Sequence, residues 1–130
     1  MKALREADYA EVRRPERFII TNPSMDEALA WYRSDGIGAQ YLSVDIETHR
    51  KQISMIGFAA SPQRALVIPF LTPTGESYWA TYEEERDAWH LVRQILELPS
   101  AKVFQNGLFD LQYIINSWTN SLAKKASKPI

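Results

Sequence analysis

The middle of the chain alternates apolar and polar residues, or places apolar residues in short runs, which is the pattern of β-strands. Three such segments cover residues 41–47, 53–60 and 65–70, and the polar stretches between them are short enough for hairpin turns. A shorter β-branched segment, 17–21, precedes them and leads into an Asn-Pro turn. We therefore predict one early strand followed by three antiparallel, hairpin-linked strands.

Two further segments have apolar residues at helical spacing, and each begins with a capping-box sequence. Ser24 with Glu27 opens the first helix, which ends at the glycines that follow it. Thr81 with Glu84 opens the second helix, which stops at Pro99. We expect each helix to pack one face inward. The apolar stripe of the second helix consists of Ala88, Leu91, Val92, Ile95 and Leu96.

A last short strand is predicted over residues 101–105, and an Asn-Gly turn leads from it into a third helix. The apolar residues of this helix, from Leu111 to Trp118, again have helical spacing. A helix between two strands of a mixed sheet usually marks a parallel crossover, so the last strand is expected beside strand 41–47. The fold class is therefore α/β, with three antiparallel strands and a parallel strand in a mixed sheet flanked by helices.

The composition is that of one folded domain. The chain has 130 residues, of which 45% are hydrophobic. We expect residues 1–16 to be an N-terminal arm, 17–118 to be the domain and 119–130 to be a polar tail. Because nothing after residue 118 is typical of a core element, we expect the domain to be truncated at its C-terminus. The net charge of −1 argues against a general basic surface for nucleic acid.

Cysteine is absent from the sequence, which leaves carboxylates, histidines and carbonyls as metal ligands and favours a hard cation. No apolar run approaches the roughly 20 residues that span a bilayer, and no signal-peptide core follows the first residues. We therefore expect a cytoplasmic protein with no membrane partner.

Asp45 and Glu47 occupy alternate positions of strand 41–47, so both should lie on the face opposite Val44 and Ile46. Two carboxylates about 7 Å apart along a half-buried strand repel each other unless a proton or a cation compensates. The pair taken alone also fits an ordinary strand facing solvent. A metal site at this strand is the functional alternative.

Asp110 falls in the first turn of the third predicted helix, where the helix dipole by itself favours an anion. If the strand before it neighbours strand 41–47, Asp110 comes beside Asp45 and Glu47 at one end of the sheet. Three carboxylates gathered in this way form a site for divalent metal.

These segments resemble two motifs of the DEDD superfamily of 3′–5′ exonucleases. Residues 44–48, Val-Asp-Ile-Glu-Thr, are similar to motif I, and residues 104–110, Phe-Gln-Asn-Gly-Leu-Phe-Asp, are similar to motif II. The similarity covers roughly residues 17–118. It is greatest to the proofreading domain of A-family, polymerase I-like DNA polymerases, including those of phages. The resemblance implies a ribonuclease H-like fold.

The resemblance also implies a function for individual residues. Asp45 would bridge two Mg²⁺ or Mn²⁺ ions, Glu47 would ligate the first ion, and Asp110 would hold the second, largely through water. The substrate would be a single-stranded or frayed 3′ end of DNA, hydrolysed by two-metal catalysis to release 5′-mononucleotides. The positions that touch the terminal nucleotide in this family are matched by Thr48, Asn106 and Phe109.

The sequence departs from the family in its third motif, Tyr-x-x-x-Asp or His-x-x-x-Asp, which does not occur after Asp110. We consider three explanations. The chain is a fragment of a longer exonuclease or polymerase, or another chain supplies the third motif, or the chain is an inactive remnant that serves as an interaction module. In the last case the aromatic loop with Tyr78, Trp79 and Tyr82 could stack nucleic-acid bases.

Overall fold

The computed structural model describes residues 16–104, which form five strands and two α-helices. A π-helical turn, Tyr32–Gly36, continues the first helix. The elements are β1 Phe18–Ile20, α1 Met25–Trp31, β2 Tyr41–His49, β3 Gln52–Ser61, β4 Arg64–Pro69, α2 Tyr82–Leu96 and β5 Ala101–Phe104.

The strands form one sheet in the order β1–β4–β3–β2–β5. β2, β3 and β4 are joined by hairpins and pair antiparallel, which confirms the prediction from their alternating pattern. β5 lies parallel to β2, with Val44 beside Phe104, which confirms the predicted crossover through α2. Residues 105–130 lie outside the described part, so the predicted third helix and the polar tail are not described.

The short strand β1 adds a fifth member to the sheet. It pairs parallel with β4, with Ile19 beside Ala65. The strand itself was predicted, but the predicted sheet contained one parallel strand whereas the structure has two parallel pairs, β1–β4 and β2–β5. The connection from β1 to β4 runs through α1 and two other strands, and a strand of 3 residues contains no pattern that selects its neighbour.

One face of the sheet is buried under the two helices. Side chains on this face join those of α1 and α2 in a single core cluster, and the ring of Trp89 stacks on that of Phe70 with 4.0 Å between ring centroids. The sheet residues of this core are Leu42, Val44, Ile53, Ile56, Phe58, Leu66 and Ile68, and those of α2 are Ala88, Trp89, Leu91, Val92 and Ile95.

Both helices begin at the predicted caps. The Ser24 hydroxyl accepts from the Glu27 N–H at 3.2 Å, and the Glu27 carboxylate accepts from the Ser24 N–H at 3.1 Å, which completes the box. At α2 the Thr81 hydroxyl accepts from the Glu84 N–H at 3.2 Å. The Glu84 carboxylate instead accepts from the N–H of Ala80, one residue before the cap. These bonds satisfy N–H groups that have no partner within the helix.

The fold class is α/β, with a mixed five-stranded sheet and helices packed on it. Within residues 16–104, neither helix has the length and apolar character needed to cross a membrane.

Candidate metal centre

Asp45 and Glu47 lie on the open face of β2, as the alternation of the strand predicts. Both are exposed, whereas Val44 is buried and Ile46 is half-buried on the opposite face. Neither carboxylate makes an ion pair or a side-chain hydrogen bond with another described residue. The two negative charges are therefore not neutralised by any cationic side chain between residues 16 and 104.

Gly57 lies directly opposite Asp45 in the antiparallel β2–β3 pair, and Met55 lies opposite Glu47. A Cβ atom added to Gly57 would be 3.9 Å from the backbone oxygen of Asp45, which is an ordinary contact. Since residues opposite each other in a ladder share a face, the β3 residue directly across from Asp45 places no side chain beside its carboxylate. The sequence analysis missed Gly57, although a glycine inside a strand pattern is a known sign of close approach.

A β-bulge in β3 lies opposite the end of β2, next to Glu47. The register shifts between Glu47 and Thr48, where β3 contains one extra residue, Ser54. The Ser54 hydroxyl donates to the Glu47 carbonyl at 3.0 Å, and the Ser54 carbonyl accepts from the N–H groups of Phe70 at 2.8 Å and Leu71 at 3.1 Å. A bulge changes the direction of the strand. These bonds hold the changed direction near the end of the acidic face, which is the face of β2 that carries Asp45 and Glu47.

Thr48, the predicted contact of a terminal nucleotide, lies just beyond this bulge and is exposed. It pairs with Ile53, next to the β2–β3 turn. His49, which follows it, lies against the loop at Gly75, where an added Cβ would come within 3.6 Å of the imidazole Nε2.

The remaining predicted site residues, Asn106, Phe109 and Asp110, lie outside the described residues. Because β5 is parallel to β2 and Phe104 is beside Val44, the chain leaves β5 next to the position of Asp45. Within residues 16–104, no three side chains of His, Asp or Glu come together in a group that could hold a metal ion. The predicted cluster needs Asp110, so this finding concerns only the first two of its three carboxylates.

The aromatic loop before α2 packs on the domain itself. Trp79 is buried, and its Nε1 donates to the carbonyl of Pro69 at 2.8 Å. Tyr78 is half-buried, its ring contacts that of Trp79 edge to face, and its hydroxyl donates to the carbonyl of Pro23 at 2.8 Å. Tyr78 and Trp79, both considered for base stacking, are therefore engaged in intramolecular contacts.

In comparisons with known proteins, no family model matches the chain and no curated protein matches it significantly.

Proposed function

We propose that this chain is a 3′–5′ exonuclease domain of the DEDD type, which hydrolyses the 3′-terminal phosphodiester of DNA and releases 5′-mononucleotides. The observation that carries the proposal is the position of Asp45 and Glu47. Both carboxylates are exposed on one face of β2, beside the end of β5, from which the chain leads into the second motif.

The sheet supports a ribonuclease H-like fold as part of this proposal. Three hairpin-linked strands followed by a helix and a strand parallel to the first of them is the layout that the resemblance implies. The observed order β4–β3–β2–β5, in which β2–β5 is the parallel pair, agrees with that layout. β1 extends the sheet at its far edge, away from β5.

The residues present at β2 fit divalent cations. Asp45 and Glu47 provide oxygen ligands, and neither forms an ion pair with a cationic side chain within residues 16–104. Gly57 leaves space beside Asp45. In the proposed site Asp45, Glu47 and Asp110 would together hold the two ions. When bound, Mg²⁺ or Mn²⁺ ions supply a hydroxide nucleophile and neutralise charge on the scissile phosphate.

The protein groups around the ions would orient the substrate. Thr48 is exposed and directly follows Glu47 in β2, and the resemblance assigns it a contact with the terminal nucleotide. Asn106 and Phe109 are assigned the same task from the resemblance. No Tyr-x-x-x-Asp or His-x-x-x-Asp follows Asp110, so the partners in this proposal are a polymerase domain or a chain that supplies the remaining carboxylate and the group that positions water.

Metal binding is the first test of this proposal. Isothermal titration of Mn²⁺ into the full chain should show weak saturable binding that is lost in Asp45→Asn. Asp87→Asn is the matched control, because Asp87 is an exposed aspartate on α2 that forms an ion pair with its neighbour Arg86 at 3.5 Å. The absence of binding, or equal binding by both variants, would disprove the metal site.

Digestion of a 3′-labelled single-stranded DNA with Mg²⁺ or Mn²⁺ is the second test. We expect slow release of labelled mononucleotide that is abolished in Asp45→Asn and Asp110→Asn and retained in Asp87→Asn. Metal binding without digestion would assign to the chain the alternative function, an inactive or partner-completed module that binds nucleic acid or protein.

A further inference from the structure

The turn that joins β2 to β3 carries two adjacent cations. Arg50 and Lys51 form a two-residue turn that is closed by the pair His49–Gln52, and both side chains are exposed. These two residues are called the hairpin tip below. The ion pairs within residues 16–104 join other residues, so no described side chain pairs with the charges of the hairpin tip.

The backbone of the hairpin tip is unusual for its residue types. Arg50 has φ 49° and Lys51 has φ 65°, and they are the non-glycine residues with positive φ in the described part of the chain. Glycine and asparagine adopt this conformation with less strain, and Asn-Gly is the preferred sequence of such a turn. Strained residues cluster at functional sites, so two strained cations point to a contact that Asn-Gly would not make.

The base of the turn is fixed on both strands. On β2 the imidazole of His49 lies against the loop at Gly75, where an added Cβ would come within 3.6 Å of its Nε2. On β3 the carbonyl of Ser54 accepts from the N–H groups of Phe70 at 2.8 Å and Leu71 at 3.1 Å. These contacts set the direction in which the hairpin leaves the sheet, so its two cations are presented at a defined place.

The hairpin tip lies at the same end of β2 as the proposed metal site. Arg50 follows Glu47 by three residues, which is about 10 Å along an extended strand. Arginine and lysine have the long, flexible side chains that contact phosphates in nucleic-acid complexes. A DNA strand that leaves the metal site along β2 toward the turn therefore brings its next phosphates within reach of the two cations.

Acidic residues near this end of the sheet determine when a phosphate binds there. Glu47 is on β2, and Glu76 follows Gly75 in the loop that contacts His49; both glutamates are exposed. Without metal these carboxylates and that of Asp45 repel a phosphate. Divalent ions bound to Asp45 and Glu47 cancel most of this repulsion, and the hairpin tip then adds to the attraction for a polyanion.

We propose that Arg50 and Lys51 bind backbone phosphates of the DNA strand whose 3′ end is hydrolysed at the metal site. They are positioning residues, which hold the strand against the end of β2 and take no part in bond cleavage. Since phosphate contacts carry no sequence information, the hairpin tip confers no base preference. This inference rests on the proposed exonuclease function, which supplies the substrate.

Binding is measured by the fluorescence anisotropy of a labelled oligothymidylate of about 12 nucleotides. EDTA and the substitution Asp45→Asn are used throughout, because they prevent digestion and remove one opposing charge. In this background, Arg50→Asn with Lys51→Gly removes both cations and keeps a sequence suited to the turn. We expect about tenfold weaker binding and a plot of log affinity against log salt that is less steep by about 1.4, which is about 0.7 for each lost phosphate contact.

Two further pairs of substitutions are the controls. Arg17→Gln with Arg33→Gln removes the same net charge from exposed positions outside the hairpin, before β1 and in the π-helical turn, and should keep the salt dependence. Arg50→Lys with Lys51→Arg exchanges the two cations and should restore binding. An unchanged salt dependence after removal of the hairpin tip, or an equal loss in the Arg17 and Arg33 variant, would overturn the proposal.

Digestion of the same oligonucleotide with Mg²⁺, without the Asp45 substitution, tests the positioning role. Loss of the hairpin tip should raise KM about tenfold and leave kcat nearly unchanged, because it removes binding that is made equally before and during the reaction. A lower kcat at unchanged KM would contradict this role. If the unmodified chain digests nothing, the exonuclease proposal fails, and the anisotropy measurements still decide whether the hairpin tip binds the DNA backbone.

Discussion

Asp45 lies opposite Gly57 across the β2–β3 ladder, so the residue directly across from its carboxylate has no side chain. In an antiparallel pair, directly opposed residues point to the same face with their Cβ positions about 5 Å apart. A larger residue at 57 would stand beside the carboxylate and displace its water or a cation. The glycine therefore keeps one side of the acidic face accessible.

Gly57→Leu is expected to weaken Mn²⁺ binding by about tenfold, equivalent to about 1.4 kcal/mol, because an apolar side chain beside Asp45 disfavours a charged complex. Titration calorimetry measures this change. Gly57→Ala is the control: its Cβ makes only an ordinary 3.9 Å contact with the Asp45 backbone oxygen, so binding should be retained. Equal affinity in Gly57→Leu and Gly57→Ala would contradict the role of the open space.

Two buried tryptophans differ in whether their indole N–H has an acceptor. Trp79 Nε1 donates to the Pro69 carbonyl at 2.8 Å, whereas Trp31 Nε1 has no acceptor among the described residues. Phenylalanine at either position removes similar ring volume, but only Trp79→Phe breaks a hydrogen bond. We expect Trp79→Phe to lower the free energy of unfolding by about 1–2 kcal/mol more than Trp31→Phe. Urea unfolding monitored by circular dichroism checks this difference, and equal losses would contradict it.

The turn between β2 and β3 holds two non-glycine residues in the left-handed conformation. Arg50 has φ 49° and Lys51 has φ 65°. Residues that have a Cβ atom adopt this backbone conformation at a cost of roughly 1 kcal/mol each. Replacing the pair with Asn-Gly, the preferred sequence of this hairpin turn, should therefore raise the free energy of unfolding by about 1 kcal/mol.

Gly75 has φ 88° and tests the same backbone argument with the opposite expected change in the free energy of unfolding. Gly75→Ala should lower the free energy of unfolding by about 1 kcal/mol, since alanine disfavours that conformation. Thermal unfolding of both variants is the measurement. A destabilised Asn-Gly variant would show that the side chains of Arg50 and Lys51 contribute more than their backbone strain costs.

Tyr78 should make stability depend on alkaline pH. Burial of its hydroxyl, and secondarily the Glu27 carboxylate, raises the pKa of Tyr78 above its ordinary value of 10.0. A group whose pKa is raised by folding contributes stability that is fully present below the unfolded pKa and is lost as pH rises through the folded pKa. The hydroxyl also donates to the Pro23 carbonyl at 2.8 Å while it is protonated.

We therefore expect Tyr78→Phe to be about 1 kcal/mol less stable than the unmodified protein at pH 8, because it lacks this hydrogen bond. The difference should shrink above pH 10. Urea unfolding of both proteins between pH 8 and pH 11 measures it, and other alkaline titrations, such as that of Lys102, whose pKa burial lowers, occur in both proteins and cancel. A constant difference across this range would contradict the prediction.

The strands and helices of residues 16–104 were predictable because their signals are local. Alternation along β2 was sufficient to predict that Asp45 and Glu47 share a face, and the sequences after Ser24 and Thr81 were sufficient to predict two helix starts. The continuation of α1 into a π-helical turn was not predicted, because its i to i+5 hydrogen bonds leave the apolar spacing nearly unchanged.

The candidate site was predictable in part. The crossover through α2 predicted that β5 lies beside β2, and this pairing is confirmed. The space beside Asp45 depends on Gly57, whose position opposite Asp45 is decided by the register of β3, so the sequence analysis did not find it. The metal ligation by Asp45, Glu47 and Asp110, and the DNA substrate, stay predictions.

The sequence by itself therefore determined which residues form strands and helices and which acids point the same way, because these follow from periods of two and 3.6 residues along the chain. The tertiary structure decided that β1 pairs with β4, that Ser54 of β3 forms a bulge beside Glu47, and that a groove lies next to Trp31. Each of these depends on contacts between residues far apart in the sequence, and such contacts are selected by the packing of the whole sheet and its helices.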